Sequence, residues 1–281
     1  GARSVNGPYL KTLGANAAMV GLIAGIGEFM GYAIRLASGY FADRTKGYWV
    51  FTFLGYGMLI SVPLLALSGT WQFVALLIVC ERIGKAIRAP AKDTIVSQAS
   101  KQVGTGFGFG LQEAMDQIGA TAGPLIFTVL FVLLGKGSRN IADYQLGYSL
   151  LWLPFVLLMI CVILAYIRVP DPAVLEIPTV RAQEPDRLSK VFWLYTIFSF
   201  VATAGFVNFV LIAYHLKDKH VLSDAQIPFF YAVAMALDGG IALLIGRMYD
   251  RLKKKRNNDK AGLLTLISIP VLSVMIPVLG F

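Results

Sequence analysis

Eight ionisable side chains sit deep inside apolar stretches of this sequence: Glu28, Arg35, Glu81, Arg82, Lys85, Glu113, Asp116 and Asp238. A charge at the centre of a membrane helix costs roughly 2.5–3.5 kcal/mol, so eight of them facing lipid would forfeit on the order of 20 kcal/mol. They must pair or line water. Glu28, Tyr32 and Arg35 are spaced i, i+4, i+7, on one helical face; Glu81 and Lys85 are four apart, and Glu113 and Asp116 three apart. A carboxylate in a dry site holds its proton more tightly and a nearby Arg loosens it, so a moving partner can turn binding into proton release. Glu28, Glu113 and Asp116 are therefore candidate proton exchangers, with Arg82 or Arg35 tuning them or meeting an anionic group of a solute. The competing reading is a set of static ion pairs between helices. Glu81, Arg82 and Lys85 also read as a gate-side network, and Asp238 is balanced between pairing and function.

The elements that carry these residues follow from composition. At 57% hydrophobic and 15% charged, with mean hydropathy +0.67, the 281-residue chain is far more apolar than an ordinary globular domain. Its apolar residues are grouped into runs long enough to cross a hydrocarbon core of about 30 Å as helix. Eight such runs are expected, at about 16–42, 48–68, 71–90, 104–135, 144–168, 190–216, 225–250 and 261–281. The polar segment VPDPAVLEIPTVRAQEPDR, with four prolines, separates two helical groups as an extra-membrane linker. Loops on one side hold 16 Lys and Arg and those on the other 6, which places the first set in the cytoplasm. An all-α, polytopic membrane protein is expected. On that topology Glu28 and Glu113 both lie ~14–18 Å along their helices, near the midplane.

The stretch GYFADRTKGYW at 39–49 returns as GRMYDRLKKKR at 246–256, 207 residues later, with Gly39, Asp43 and Arg44 matched by Gly246, Asp250 and Arg251. The first copy resembles the signature between helices two and three of the major facilitator superfamily, and the second its echo between helices eight and nine. ERIGKAIRAPAKD at 81–93 resembles the family's Arg-bearing fourth-helix motif, with Lys85 where the family favours Gly. GATAGPLI at 119–126 resembles the fifth-helix antiporter motif, without the Gly pair that should follow. The resemblance implies a two-bundle helical transporter, read as a fragment from the end of helix one to within helix nine. On that plan residues 1–168 form the first bundle, 169–189 a cytoplasmic linker and 190–281 part of the second bundle. It also implies alternating access to a small solute, with proton-coupled antiport as the leading mode. A symporter or uniporter of the same fold, or a transporter-like receptor, is the alternative.

In the repeated motif, glycine permits close helix approach, and an Asp at a helix exit can accept charge-assisted bonds from a neighbouring Arg. Asp43 with Arg88, at the end of the fourth run, is the expected conformational latch. RLKKKR could bind anionic lipid, but a solvated cytoplasmic face accounts for it more simply. GTGFGFG at 104–110 opens a membrane run with no preceding strand, so it reads as small-residue packing, not a dinucleotide loop. His215 and His220 lack further ligands for a metal site, and Cys80 and Cys161 fall in apolar runs. No nucleophile triad or P-loop is present, so an enzyme, a cofactor and a nucleic-acid partner are not expected. The expected partners are a small solute, protons and membrane lipid, acting on a monomer in the cell (plasma or inner) membrane.

Overall fold

The computed structural model describes residues 2–100, 105–135, 139–172, 193–194, 196–197 and 209–256; the side chains at 100, 105–109 and 242–256 lie outside that description. Eight helices are found among the described residues: α1 (Arg3–Thr12), α2 (Ala17–Thr45), α3 (Tyr48–Leu67), α4 (Trp71–Ser100), α5 (Thr105–Leu133), α6 (Ile141–Arg168), α7 (Phe209–Asp218) and α8 (Gln226–Arg256). Seven of the eight expected runs coincide with these helices in whole or in part, and the run at 261–281 lies outside the described residues. Among the described residues, four segments are long and apolar enough to span a membrane: α2, α3, α6 and the Gly110–Leu133 part of α5. The chain is an all-helical, multi-pass membrane protein.

Helix ends follow local chemistry. Asn16 caps α2, its side chain accepting from the Met19 N–H at 2.9 Å, and Gly14 (φ 90°) makes the turn before it. Asn140 and Asp143 form a reciprocal capping box at the start of α6. Two breaks trace to proline, whose ring crowds the carbonyl four residues earlier. In α3 a 3₁₀ turn at Met58–Ile60 precedes Pro63. In α6 the helix is interrupted between Ser149 and Trp152, where Pro154 crowds Leu150.

Sequence-based ends are too short at two places. α4 continues ten residues past the apolar run to Ser100, and α8 carries the basic stretch through Arg256 in helix, not in a loop. Arg, Leu and Lys are good helix formers, and cations at a C-terminus complement its dipole.

Residues 2–172 and 209–239 belong to one compact unit; 240–256 and the helical residues at 193–194 and 196–197 belong to a second. Within the first unit, α4 is the hub, packing on α2, α3 and α5, while α1 touches α2, α5, α6 and α7. α3 crosses α4 closely: a Cβ at Gly55 would fall 2.5 Å from the Gly84 carbonyl oxygen and from Arg88 Cβ, and one at Gly84 2.7 Å from Met58 Cβ. At Gly7 a Cβ would strike the Val210 carbonyl oxygen, so α1 and α7 also meet backbone to backbone. The core gathers Val5, Tyr9, Val20, Leu65, Val74, Ile78, Phe127, Phe131, Tyr144 and Tyr148. Large apolar side chains such as Leu36, Leu133 and Leu153 stay exposed, as a lipid-facing surface requires.

Candidate functional site

The charges of α4 come first, because they are the most buried. Glu81 and Arg82 are each 6% exposed. Gly27 of α2 makes room for the Arg82 stem, since a Cβ there would lie 3.2 Å from Arg82 Cγ. The guanidinium then reaches the next residue: Arg82 Nη1 donates to Glu28 Oε1 at 3.1 Å, and its Nε lies 3.7 Å from Glu81 Oε2. Lys85 pairs with Glu81 across one turn, as the i, i+4 spacing predicts, and Arg3 of α1 stands 3.6 Å from Glu28. Each carboxylate is thus shared by two cations, the arrangement that offsets the desolvation of a buried charge. Protonating Glu28 removes an acceptor that both guanidiniums share.

A second polar contact joins α5 to α8. Gln117 Nε2 donates to Glu113 Oε1 at 2.9 Å and to Asp238 Oδ2 at 2.8 Å, so one amide holds two carboxylates. Gly239 permits this approach, for a Cβ there would lie 2.8 Å from Gln117 Cβ. Asp116 turns instead toward α4, 3.8 Å from Lys92.

The structure therefore brings Glu28, Glu81, Arg82 and Lys85 into one network and places Glu113 with Asp238. It does not bring Arg35 to Glu28. Arg35 lies 5.9 Å from the centre of the exposed Tyr32 ring, because seven residues of helix rise separate it from Glu28 by about 10 Å.

The repeated motif is partly visible. Gly39 faces Pro90, where a Cβ would meet ordinary contact at 3.5 Å, so this position needs a small residue less than Gly55 does. Asp43 is exposed at the end of α2, and Arg44 donates to Tyr40 Oη at 2.9 Å. No Asp43–Arg88 bond is made among the described residues: Arg88 lies over the Tyr56 ring at 4.3 Å, and its Nε is buried without a hydrogen-bond partner. Gly246, Asp250 and Arg251 lie on α8, but their side chains are outside the described residues.

The end of the bundle holding Lys11, Arg139 and Lys217 carries a cluster that the sequence reading missed. Lys217 Nζ bridges Asp224 at 2.9 Å and Tyr144 Oη at 2.7 Å, and the Arg139 backbone N–H donates to Asp224 at 2.9 Å. Lys11 pairs with Asp218 at 2.8 Å, and this hydrogen bond holds the exposed Asp218 carboxyl below its ordinary value. Beneath them, the Tyr9 ring packs on Tyr144 and Tyr148 with centroids 5.3 and 5.2 Å apart, and Tyr148 Oη donates to Asn6 Oδ1 at 2.8 Å. A signal existed: Tyr144 and Tyr148 are i, i+4 in an otherwise apolar run.

The family model of the Major Facilitator Superfamily matches residues 3–281. The chain belongs to the Major Facilitator Superfamily. It is 37% identical over its whole length to an uncharacterized protein of Mycobacterium bovis and, equally, to one of Mycobacterium tuberculosis, and spans 66% of the length of each. An uncharacterized MFS-type transporter of Methanocaldococcus jannaschii is 32% identical over 47% of the chain and 33% of its own length. No solved structure matches the chain. Membership in the superfamily accounts for the succession of long apolar helices.

Proposed function

We propose that the chain is the greater part of a proton-coupled antiporter, in which a small solute and protons alternate at the Glu28–Arg82 network. The observation that carries this reading is the shared carboxylate: Glu28 accepts from Arg82 at 3.1 Å and faces Arg3 at 3.6 Å, while 35% of its side chain is exposed. A solute group that pairs with or hydrogen-bonds to the ionised Glu28 carboxylate competes with a proton for it, so the binding of either expels the other. Coupling is the mutual dependence of those two events. Glu113, held by Gln117, and Asp116, beside Lys92, are further protonatable carboxylates, and Glu81 with Lys85 holds Arg82 from its other side. In this reading residues 1–168 form one bundle and 190–281 part of a second, joined by the linker 169–189. Asp43, Arg44 and Arg88, with their echo at Asp250 and Arg251, form the latch that engages in the opposite conformation. The protein acts as a monomer in the cell membrane.

Proteoliposomes containing a trapped pH indicator test this. Solute influx that alkalinises the lumen supports antiport, and Glu28→Gln should abolish the proton movement. Acidification means symport, solute flux without proton movement means uniport, and binding without flux means a receptor.

A further inference from the structure

Lys46 closes the C-terminus of α2 in a left-handed backbone conformation, φ 55°. Glycine is the usual residue at such a cap, because any side chain is strained there. Lys46 makes no ion pair among the described residues. It lines a cavity of about 420 Å³ together with Trp49 and Phe53 of α3, Tyr166 of α6 and Asp171 just beyond α6. That volume is within the range of small-molecule sites.

Three rings stand together along this cavity. Tyr166 meets Trp49 and Phe53 edge-on, with centroids 5.6 and 5.5 Å apart. Trp49 Nε1 donates to the Val169 carbonyl oxygen at 2.9 Å, which holds the indole against the chain leaving α6.

Its place in the fold narrows the ligand. The cavity lies where α3 starts and α6 ends, and both segments are long enough to cross a membrane, so it sits at the depth where hydrocarbon gives way to headgroups. Arg44, Lys46 and Arg168 belong to the face that the excess of Lys and Arg assigns to the cytoplasm. Trp and Tyr favour this depth in any membrane protein. An aromatic belt alone, however, needs neither a cavity nor a charge of each sign. Here Lys46 and Asp171 supply both signs in one lining.

We propose that this cavity holds the headgroup of a zwitterionic phospholipid of the cytoplasmic leaflet. Lys46 Nζ donates to the phosphate, and the ammonium rests against the Trp49 and Tyr166 rings, near the Asp171 carboxylate. The bound headgroup ties the start of α3 to the chain leaving α6. An anionic phospholipid would satisfy Lys46 but bring no cation for the rings and Asp171.

Native mass spectrometry of the delipidated protein tests this, in detergent micelles doped with equal amounts of phosphatidylethanolamine, phosphatidylcholine or phosphatidylglycerol. At least one of the two zwitterionic lipids should be retained in preference to phosphatidylglycerol. Lys46→Gln should weaken that retention about fivefold, the worth of one Lys at a membrane surface, and Lys46→Arg should restore it. Asp171→Asn should shift the preference toward phosphatidylglycerol. Lys46→Gly should raise the melting temperature in lipid-free micelles, by relieving the left-handed cap, and still lose the lipid; that pairing separates loss of binding from loss of fold.

Equal retention of all three lipids would mean a general aromatic belt, and stronger retention of phosphatidylglycerol a basic patch; either overturns the proposal. Unchanged retention in Lys46→Gln, or no retained lipid at all, overturns it as well. Free phosphoethanolamine or phosphocholine binding as tightly as the intact lipid would assign the cavity to a soluble ligand and defeat the membrane source.

Discussion

Arg82→Ala is the most informative single perturbation of the network. Arg82 is 6% exposed and pairs with both Glu28 and Glu81. Removing one partner of a buried pair costs about 3–5 kcal/mol, because the other charge is left uncompensated. Here Glu81 keeps Lys85 and Glu28 keeps Arg3, and Glu28 is 35% exposed, so the lower end applies. A loss of about 3 kcal/mol is expected, roughly a hundredfold in the folded ratio. Glu28→Gln alone costs less, since the amide still accepts one bond. The double variant should then recover part of the Arg82→Ala loss, because the stranded carboxylate is gone. Unfolding by sodium dodecyl sulfate titration in mixed micelles, run on all four proteins, closes a double-mutant cycle. A coupling of about 1.5–3 kcal/mol is predicted. Additive effects within about 0.5 kcal/mol would mean that the Glu28–Arg82 contact carries no energy, and the reasoning would fail.

Three further outcomes are expected. Gly55→Val should destabilise the protein by about 1–3 kcal/mol, since its Cβ would lie 2.5 Å from Gly84 O, whereas Gly31→Ala, with nothing within 4 Å, should be neutral or gain up to about 1 kcal/mol; thermal scans in detergent compare them. Tyr148→Phe leaves Asn6 Oδ1 without its buried donor and should cost about 1–3 kcal/mol in the same scans, while a neutral result would mean that water replaces the bond. The hydrogen bond from Lys11 holds the Asp218 carboxyl below the ordinary aspartate value, so the stabilisation is complete above the unfolded value and is lost as pH falls through the folded one. The melting-temperature gap between wild type and Asp218→Asn should therefore stay constant from neutral pH down to the ordinary aspartate range of about 3.9 and close only below it; a gap that closes at higher pH contradicts the assignment.

The helical architecture was legible because apolar runs of membrane length have no soluble alternative, and because the GYFADR signature is specific. Pairings within one helix were legible too: Glu81 and Lys85 meet because i and i+4 share a face. Partners across helices were not. Whether Glu28 meets Arg82 or Arg35 depends on which helix packs on Gly27, and sequence spacing holds no information on that. Arg3 and Gln117 were passed over for related reasons: Arg3 sits near the start of the sequence and reads as a loop cation, and an uncharged amide raises no alarm in a hydropathy profile. The cluster of Tyr144, Lys217 and Asp224 joins residues up to 80 positions apart, so only the fold assembles it. Helix ends were misjudged where hydropathy stops before helix propensity does, as at Ser100 and Arg256.

Embedded charges that serve transport face water inside the bundle. Cysteine accessibility measures this directly, after Cys80 and Cys161 are replaced by Ala. Cysteines placed singly at positions 28, 113 and 238 should react in proteoliposomes with a small, charged, water-soluble maleimide, and those at Leu36 and Leu153, both exposed to the surroundings of the bundle, should not. Labelling of 36 and 153 with protection of 28, 113 and 238 would contradict it.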